Sequence, residues 1–405
     1  MERKDARGIA SWLVAGARSA AKPEEVLAEL CERLVACGVP LSRVAVFIRT
    51  PHPQIIDRRF LWQPGAGALV TEASFEFLGS DDYRGSPVAA VFATGQGLRR
   101  RLVDPDCPLD YPILRDFREE GMTDYLVSPL SFTDGTIHVA TWCTRQPEGF
   151  TAADISAIDT ILPPLERVAE VRALHRTATN LLDTYVGHRA GERILAGQIR
   201  RGHTERIRAA IWLSDMRGFT ALADRLTPEK LIDLLNTYFD CQVPAILAQG
   251  GEVLKFMGDG LLAIFTIPEH EPGAAETCRS ALAAAREARQ RIAALDPSAI
   301  AADGPVRFGL ALHLGEVLYG NIGGASRLDF TCIGPAVNLA ARLEKLTGKL
   351  GCAILASEEF AADCGSEFYP LGKFVFSGFS EARTVFALKD EEPHLMASSP
   401  ASDTQ

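Results

Sequence analysis

The alternation of apolar and polar positions divides the chain into three stretches. Residues 23–38, PEEVLAELCERLVACG, set Val26, Leu27, Leu30, Leu34 and Val35 at helical spacing, which predicts an amphipathic helix. SRVAVFIRT (42–50) is a nearly unbroken apolar run and predicts a buried strand. DYLVSPLSFTDGTIHVATWCT (124–144) predicts two strands joined at Asp134-Gly135, a dipeptide suited to a hairpin turn. Helical spacing returns in EGFTAADISAIDTILPPLERVAEVRAL, with Thr151 as the cap and Asp154 at the capping-box position. Residues 165–205 are helix-prone, charged and poor in aromatic residues. A signalling helix and a plain linker fit that pattern equally well.

Residues 206–390 read as a second folding unit. IRAAIWLSD (207–215) predicts a strand, and 217–248 a pair of helices. GEVLKFMGDGLLAIF (251–265) predicts a hairpin, and the Ala-rich stretch 272–295 a long helix. VRFGLALHLGEVLYGNIG (306–323) is rich in strand formers, and a helix is expected over 335–348. Three last strands fall near 352–356, 368–377 and 383–389. The end, EEPHLMASSPASDTQ, is polar and predicts a disordered tail.

Composition narrows the class. The 405 residues predict two to three domains. Apolar residues make up 47% and charged residues 23%, as in ordinary globular proteins. The formal charge of −10, with Arg99-Arg100-Arg101 as the one basic triplet, argues against a general nucleic-acid binder. No apolar run is long enough to span a membrane, and the N-terminal segment lacks the apolar centre of a secretory signal. Nine cysteines without a CxxC pair predict free thiols in a reducing compartment, neither a disulfide framework nor a zinc site. The expectation is a cytoplasmic, multidomain protein.

Several residues could carry chemistry. Asp215 lies where an apolar strand gives way to Gly218-Phe219-Thr220. It reads either as a helix cap or as a metal ligand beside backbone amides that could cradle phosphate. Asp259, in Met257-Gly258-Asp259-Gly260, reads as a turn residue or as a second carboxylate opposite Asp215. Two carboxylates at neighbouring strand ends can hold divalent cations on a triphosphate. Lys255 sits in an apolar strand, where a lysine needs a partner; it reads either as a snorkelling side chain or as a site residue. Alternation places Lys255, Met257 and Asp259 on one side. Asn338 and Arg342 are four apart in PAVNLAARLEKL and share a helix face away from Leu339, Leu343 and Leu346.

Four segments together, LSDMRGFT (213–220), GGEVLKFMGDGLLAIF (250–265), GLALHLGEVLYGNIG (309–323) and DFTCIGPAVNLAARLE (329–344), resemble the catalytic domain of class III nucleotidyl cyclases in order and spacing. The resemblance covers about 185 residues. It implies an α+β, ferredoxin-like sheet flanked by helices, working as a head-to-tail homodimer with interfacial active sites. It implies ATP as substrate, cyclic AMP and pyrophosphate as products, and two Mg²⁺ or Mn²⁺ ions per site. Asp215 and Asp259 take the metal-ligand positions. Backbone at Phe219 and Thr220 takes the phosphate position, Asn338 the ribose, and Arg342 the charge on the α-phosphoryl group.

The resemblance also implies a base-reading pair, whose first member is Lys255 and whose second, counting back from Gly334, is Thr331; the Lys/Thr pair resembles the bacterial and bicarbonate-responsive branch. Lys only donates, which suits N1 of adenine, and the Thr hydroxyl accepts from the 6-amino group. Guanine would set a donor against the lysine, so guanylate cyclase activity is the alternative, with a non-catalytic nucleotide-sensing module as a second one. The sequence departs from the family at Pro335, which suits a first helical turn. It departs again at Ser377, where a basic residue is frequent. Lys373, four residues earlier on the same expected strand, is the candidate substitute.

The first 165 residues resemble a GAF-type α/β sensor domain through the 23–38 helix and the hairpin-helix segment ending it. The resemblance implies a small-molecule effector of unspecified identity, or dimerisation alone. Cys107, His52 and His138 read as ordinary loop or packed residues. The organisation expected is a sensor over 1–165, a helical linker over 166–205, a catalytic domain over 206–390 and a tail over 391–405. A shift in the sensor population would change the linker helices and open or close the site.

Overall fold

In a computed structural model the described residues are 6–53, 55–268, 273–296, 304–324 and 326–391. The expected tail lies outside them from residue 392 on. The chain falls into two compact units, Met1–Leu181 and Leu182–Gln405.

The first unit contains, in order, α1 (Arg7–Val14), α2 (Pro23–Ala36), β1 (Arg43–Arg49), β2 (Ile55–Gln63), β3 (Gly67–Ser74), α3 (Asp81–Arg84), α4 (Pro87–Thr94), β4 (Leu98–Arg100), α5 (Pro112–Glu119), β5 (Asp124–Ser131), β6 (Ile137–Thr144) and α6 (Ala152–Val186), which runs past the unit's boundary. The strands form one sheet in the order β3-β2-β1-β6-β5-β4, antiparallel throughout. Because β1 and β6 are central, both their faces are buried. This is why 42–50 reads as a continuous apolar run instead of an alternating one. One face packs Leu30, Leu34, Trp142, Ile158 and Ile161 under α2 and α6. The other packs Val91, Leu114, Phe117 and Val127 under α4 and α5. The head of α6 is a reciprocal capping box: Thr151 N–H donates to Asp154 Oδ2 at 2.9 Å, and Asp154 N–H donates to Thr151 Oγ1 at 3.2 Å.

The second unit continues with α7 (His188–Leu195), β7 (Thr204–Met216), α8 (Phe219–Ala223), α9 (Pro228–Ala248), β8 (Glu252–Met257), β9 (Gly260–Thr266), α10 (Ala274–Ala293), β10 (Phe308–Gly323), β11 (Leu328–Ile333), α11 (Pro335–Leu350), β12 (Ile354–Ser357), α12 (Glu358–Asp363), β13 (Phe368–Phe374) and β14 (Arg383–Leu388). The sheet order is β13-β14-β12-β10-β7-β9-β8, with β11 also paired to β10. All pairs are antiparallel except β10 with β12. Trp212, Phe265, Leu310 and Leu312 face α9 and α10. Ile211, Leu213, Ile264 and Val317 face the other side, towards Ala336 and Ala340 of α11. Among the described residues no helix is long and apolar enough to cross a membrane.

Lys373 does not share a strand face with Ser377. β13 ends at Phe374, and Ser377 lies in the turn before β14, so alternation no longer relates the two.

Candidate active site

The site grows from the ends of two neighbouring strand pairs. Asp215 is the penultimate residue of β7 and pairs with Gly309 of β10. Asp259 stands in the two-residue turn joining β8 to β9, whose last pair is Met257 with Gly260. The left-handed position of that turn is Gly258, at φ +67°, so the turn residues are Gly258 and Asp259. Met257 ends β8 and a bulge separates Val253 from Lys255. The bulge precedes Lys255, so alternation still relates Lys255 to Met257, but it does not extend to Asp259, which lies in the turn beyond the strand. A Cβ at Gly260 would fit tightly, 3.3 Å from the Ser214 and Met257 carbonyl oxygens and 3.4 Å from Asp215 Oδ1.

The Asp215 and Asp259 carboxyls face each other within hydrogen-bonding reach. Partial burial and the neighbouring Asp259 charge push the Asp215 carboxyl up to about 7, against a weaker downward pull from Arg217. The donor set fits Mg²⁺ or Mn²⁺: two hard carboxylate oxygen donors, with the remaining positions left to water and substrate phosphate. Among the described residues no cluster of three or more His, Cys, Asp or Glu side chains could hold a metal by itself.

Arg217 was not singled out from the sequence, yet it ties the end of β7 to α11. Its Nη2 donates to Glu344 Oε1 at 2.7 Å and to the Glu344 carbonyl at 2.9 Å, and reaches Thr347 Oγ1. A side chain at Gly309 would overlap Arg217 and Thr347, so the glycine opens the path for the guanidinium. Phe219 opens α8 behind Gly218, whose φ is +75°, and packs against the main core, while Thr220 is exposed.

Lys255 has the partner that its place in the strand demands. Its Nζ donates to Asp329 Oδ2 at 2.7 Å, and this bond holds the Asp329 carboxyl below the usual carboxylate range. Asp329 and Thr331 are two apart on β11 and so share a face, while Phe330 and Cys332 point into the core beneath α11. The ion pair thus brings Lys255 to the strand face that carries Thr331. Asp329 also escaped sequence reasoning; a carboxylate two residues from Thr331 was the available signal.

Asn338 and Arg342 lie on the exposed face of α11, opposite buried Leu339, Ala340 and Leu343. Their side chains make no hydrogen bond or ion pair among the described residues. Within one chain the structure joins Asp215 to Asp259 and Lys255 to the Asp329–Thr331 face. It leaves the α11 pair turned outward.

Residues 203–386 match the family described as "Adenylate and Guanylate cyclase catalytic domain". That stretch is a nucleotide cyclase catalytic domain. Adenylate cyclase 1 of Rhizobium meliloti is 32% identical over 179 residues, covering 43% of this chain and 26% of that protein. An adenylate cyclase of Anabaena cylindrica is 33% identical over 153 residues, covering 37% of this chain and 30% of that protein. This chain therefore spans less than a third of the length of either relative. The crystal structure of the adenylyl cyclase CyaB from P. aeruginosa is 30% identical, with a TM-score of 0.43, covering 47% of this chain and 97% of that one.

Proposed function

We propose that the protein is an adenylate cyclase: the ribose 3′-oxygen of ATP attacks the α-phosphorus, the bond to the β-phosphate oxygen breaks, pyrophosphate leaves, and the hydroxyl proton passes to solvent. The observation that carries this reading is the contact of Asp215, at the end of β7, with Asp259, on the β8–β9 hairpin that also presents Lys255. Bound Mg²⁺ or Mn²⁺, two ions per site, would neutralise triphosphate charge and lower the pKa of the 3′-hydroxyl. Asp215 and Asp259 would hold those ions. Backbone amides at Phe219 and Thr220 would orient phosphate oxygens. Lys255 would donate to N1 of adenine while the Thr331 hydroxyl accepts from the 6-amino group. Asn338 would position the ribose, and Arg342 would meet charge accumulating on the α-phosphoryl oxygens.

The outward face of α11 supports a shared site. Asn338 and Arg342 carry the right donors but point to solvent, so a second copy related by two-fold symmetry would bring them to its neighbour's aspartates, forming two equivalent sites. The first unit, a six-stranded antiparallel sheet with helices on both faces and a closing hairpin and helix, supports a GAF-like sensor that regulates the catalyst. The named relatives, both adenylate cyclases, favour ATP. A guanylate reading rests on Asp329, whose carboxylate could accept from guanine N1–H if it, and not Lys255, faced the base.

Product analysis of purified protein given ATP or GTP with Mn²⁺ tests the proposal. Cyclic AMP from ATP is expected. Cyclic GMP from GTP alone would move the assignment to Asp329, and no cyclic nucleotide from either substrate would reject catalysis.

A further inference from the structure

The first unit holds a half-open cavity of about 650 Å³ between the β1-β2-β3 half of its sheet and the helices α2 and α6. Protein interiors are close-packed, and natural small-molecule sites span roughly 300 to 1,000 Å³. The floor is aliphatic and aromatic: Val46, Ile48, Phe60, Val70, Leu165 and Val168. None of these can hydrogen-bond through its side chain; the Thr50 and Thr179 hydroxyls and the His175 ring are the further polar groups of the lining. The rim is basic. Lys22, Arg58, Arg172 and Arg176 border the opening, against the carboxylates of Glu24 and of Glu72, which pairs with Arg58 at 2.5 Å. Arg172 is fixed in place, donating to the Ala20 and Ala21 carbonyls at the approach to α2.

An apolar chamber with a positively charged mouth matches one ligand chemistry, an apolar chain ending in an anion. We propose that this cavity binds a medium- to long-chain aliphatic carboxylate, chain inward and head group at the Lys22–Arg172–Arg176 rim. A second copy of this chain is a poorer occupant, since two-fold pairing across the mouth would set basic rims against each other. The proposal deepens the sensor reading of the first unit and rests on it for biological meaning. It is read out by binding alone, so it can fail while that reading stands.

The test is calorimetric titration of the full-length protein with dodecanoate, octanoate and dodecanol. Dodecanoate should bind saturably, once per chain. Each methylene should tighten binding about fourfold, leaving octanoate about two orders of magnitude weaker. Dodecanol, lacking the charge, should bind about tenfold more weakly than dodecanoate. Lys22→Glu combined with Arg176→Glu, both at exposed rim positions, should remove the preference for the carboxylate over the alcohol. Ala169→Trp, which fills the chamber, should abolish binding, with an unchanged melting curve as the control for folding. The proposal is overturned if dodecanoate does not saturate, if the alcohol binds as tightly as the acid, or if the charge-reversed protein keeps the carboxylate preference. Should Ala169→Trp fail to fold, the charge-reversed pair decides alone. If Cyclase activity responds to dodecanoate in wild type but not in Ala169→Trp, both the site and the sensor reading are supported. Binding without any change in activity supports the site and rejects this ligand as the regulator.

Discussion

Lys255 on β8 and Asp329 on β11 are joined by a 2.7 Å charge-assisted hydrogen bond, although 74 residues separate them in sequence. The ammonium is thereby held on the face that carries Thr331. Both partners are partly solvent-exposed, so the pair contributes little to stability, at most about 1 kcal/mol. Its expected effect is on substrate recognition. Asp329→Asn should leave the melting temperature nearly unchanged and raise KM for ATP about three- to tenfold with a smaller change in kcat. Asp329→Glu should recover most of the loss. Steady-state kinetics on the three proteins decide it; equal KM values would show that the bond does not orient Lys255 for the nucleotide.

The Asp215–Asp259 contact should cost the metal-free protein stability. Two carboxylates in contact repel while no cation bridges them. Asp259→Asn should therefore stabilise the metal-free protein. After discounting for solvent screening the gain is on the order of 1 kcal/mol, a rise of about 2–4 °C in Tm. The same change should cut kcat at least about a hundredfold. Calorimetry in chelator and an activity assay in Mn²⁺ measure the two effects. A fall in Tm in chelator would contradict the repulsion argument.

The shared-site arrangement predicts complementation. Asp259→Ala and Arg342→Ala should each be nearly inactive. Mixed in equal amounts and allowed to exchange, they should recover up to about a quarter of wild-type activity, because half the dimers are mixed and each of those holds one intact site. Absence of recovery, with subunit exchange verified, would show that one chain supplies the whole site.

His138 sets a pH dependence in the first unit. It is buried against Phe132, and its Nδ1 accepts a hydrogen bond from Arg49 N–H at 3.1 Å, which requires the neutral ring. Burial, aided by the Arg49 charge and opposed by Asp134 and Glu170, lowers its pKa from 6.5 to about 4. Between those values the unfolded chain binds a proton that the folded chain refuses. This contribution is complete above pH 6.5 and falls away as pH drops towards 4, reaching about 3 kcal/mol at most. Urea unfolding of wild type and His138→Gln across pH 4–7 tests this, with a shallower acid slope expected for the variant. Parallel slopes would show that His138 is not the group responsible.

Much of the catalytic unit was legible in the chain itself. Segments 207–215, 251–265 and 306–323 carry strand patterns strong enough to survive tertiary context, and all three are strands in the structure. The Thr151–Asp154 box was legible because capping chemistry is local, needing only a hydroxyl and a carboxylate three residues apart. β2, β3 and the short elements α3 to α5 passed unnoticed, because half-exposed strands and helices of one or two turns have weak periodicity.

Sequence by itself determined which chemical groups are present and in what order: two aspartates after strand-like runs, a lysine in an apolar strand, an Asn-Arg pair on one helix face. Local pattern suffices there, since secondary structure and capping depend on near neighbours. Only the tertiary structure decided which of these groups meet. It set Asp215 against Asp259, gave Lys255 to Asp329, ran Arg217 across Gly309 to Glu344, and turned Asn338 and Arg342 outward. Those pairings come from sheet order, a bulge in β8 and the position of one left-handed glycine. Strand order and register are fixed by packing over the whole sheet, and no window of neighbouring residues contains that information.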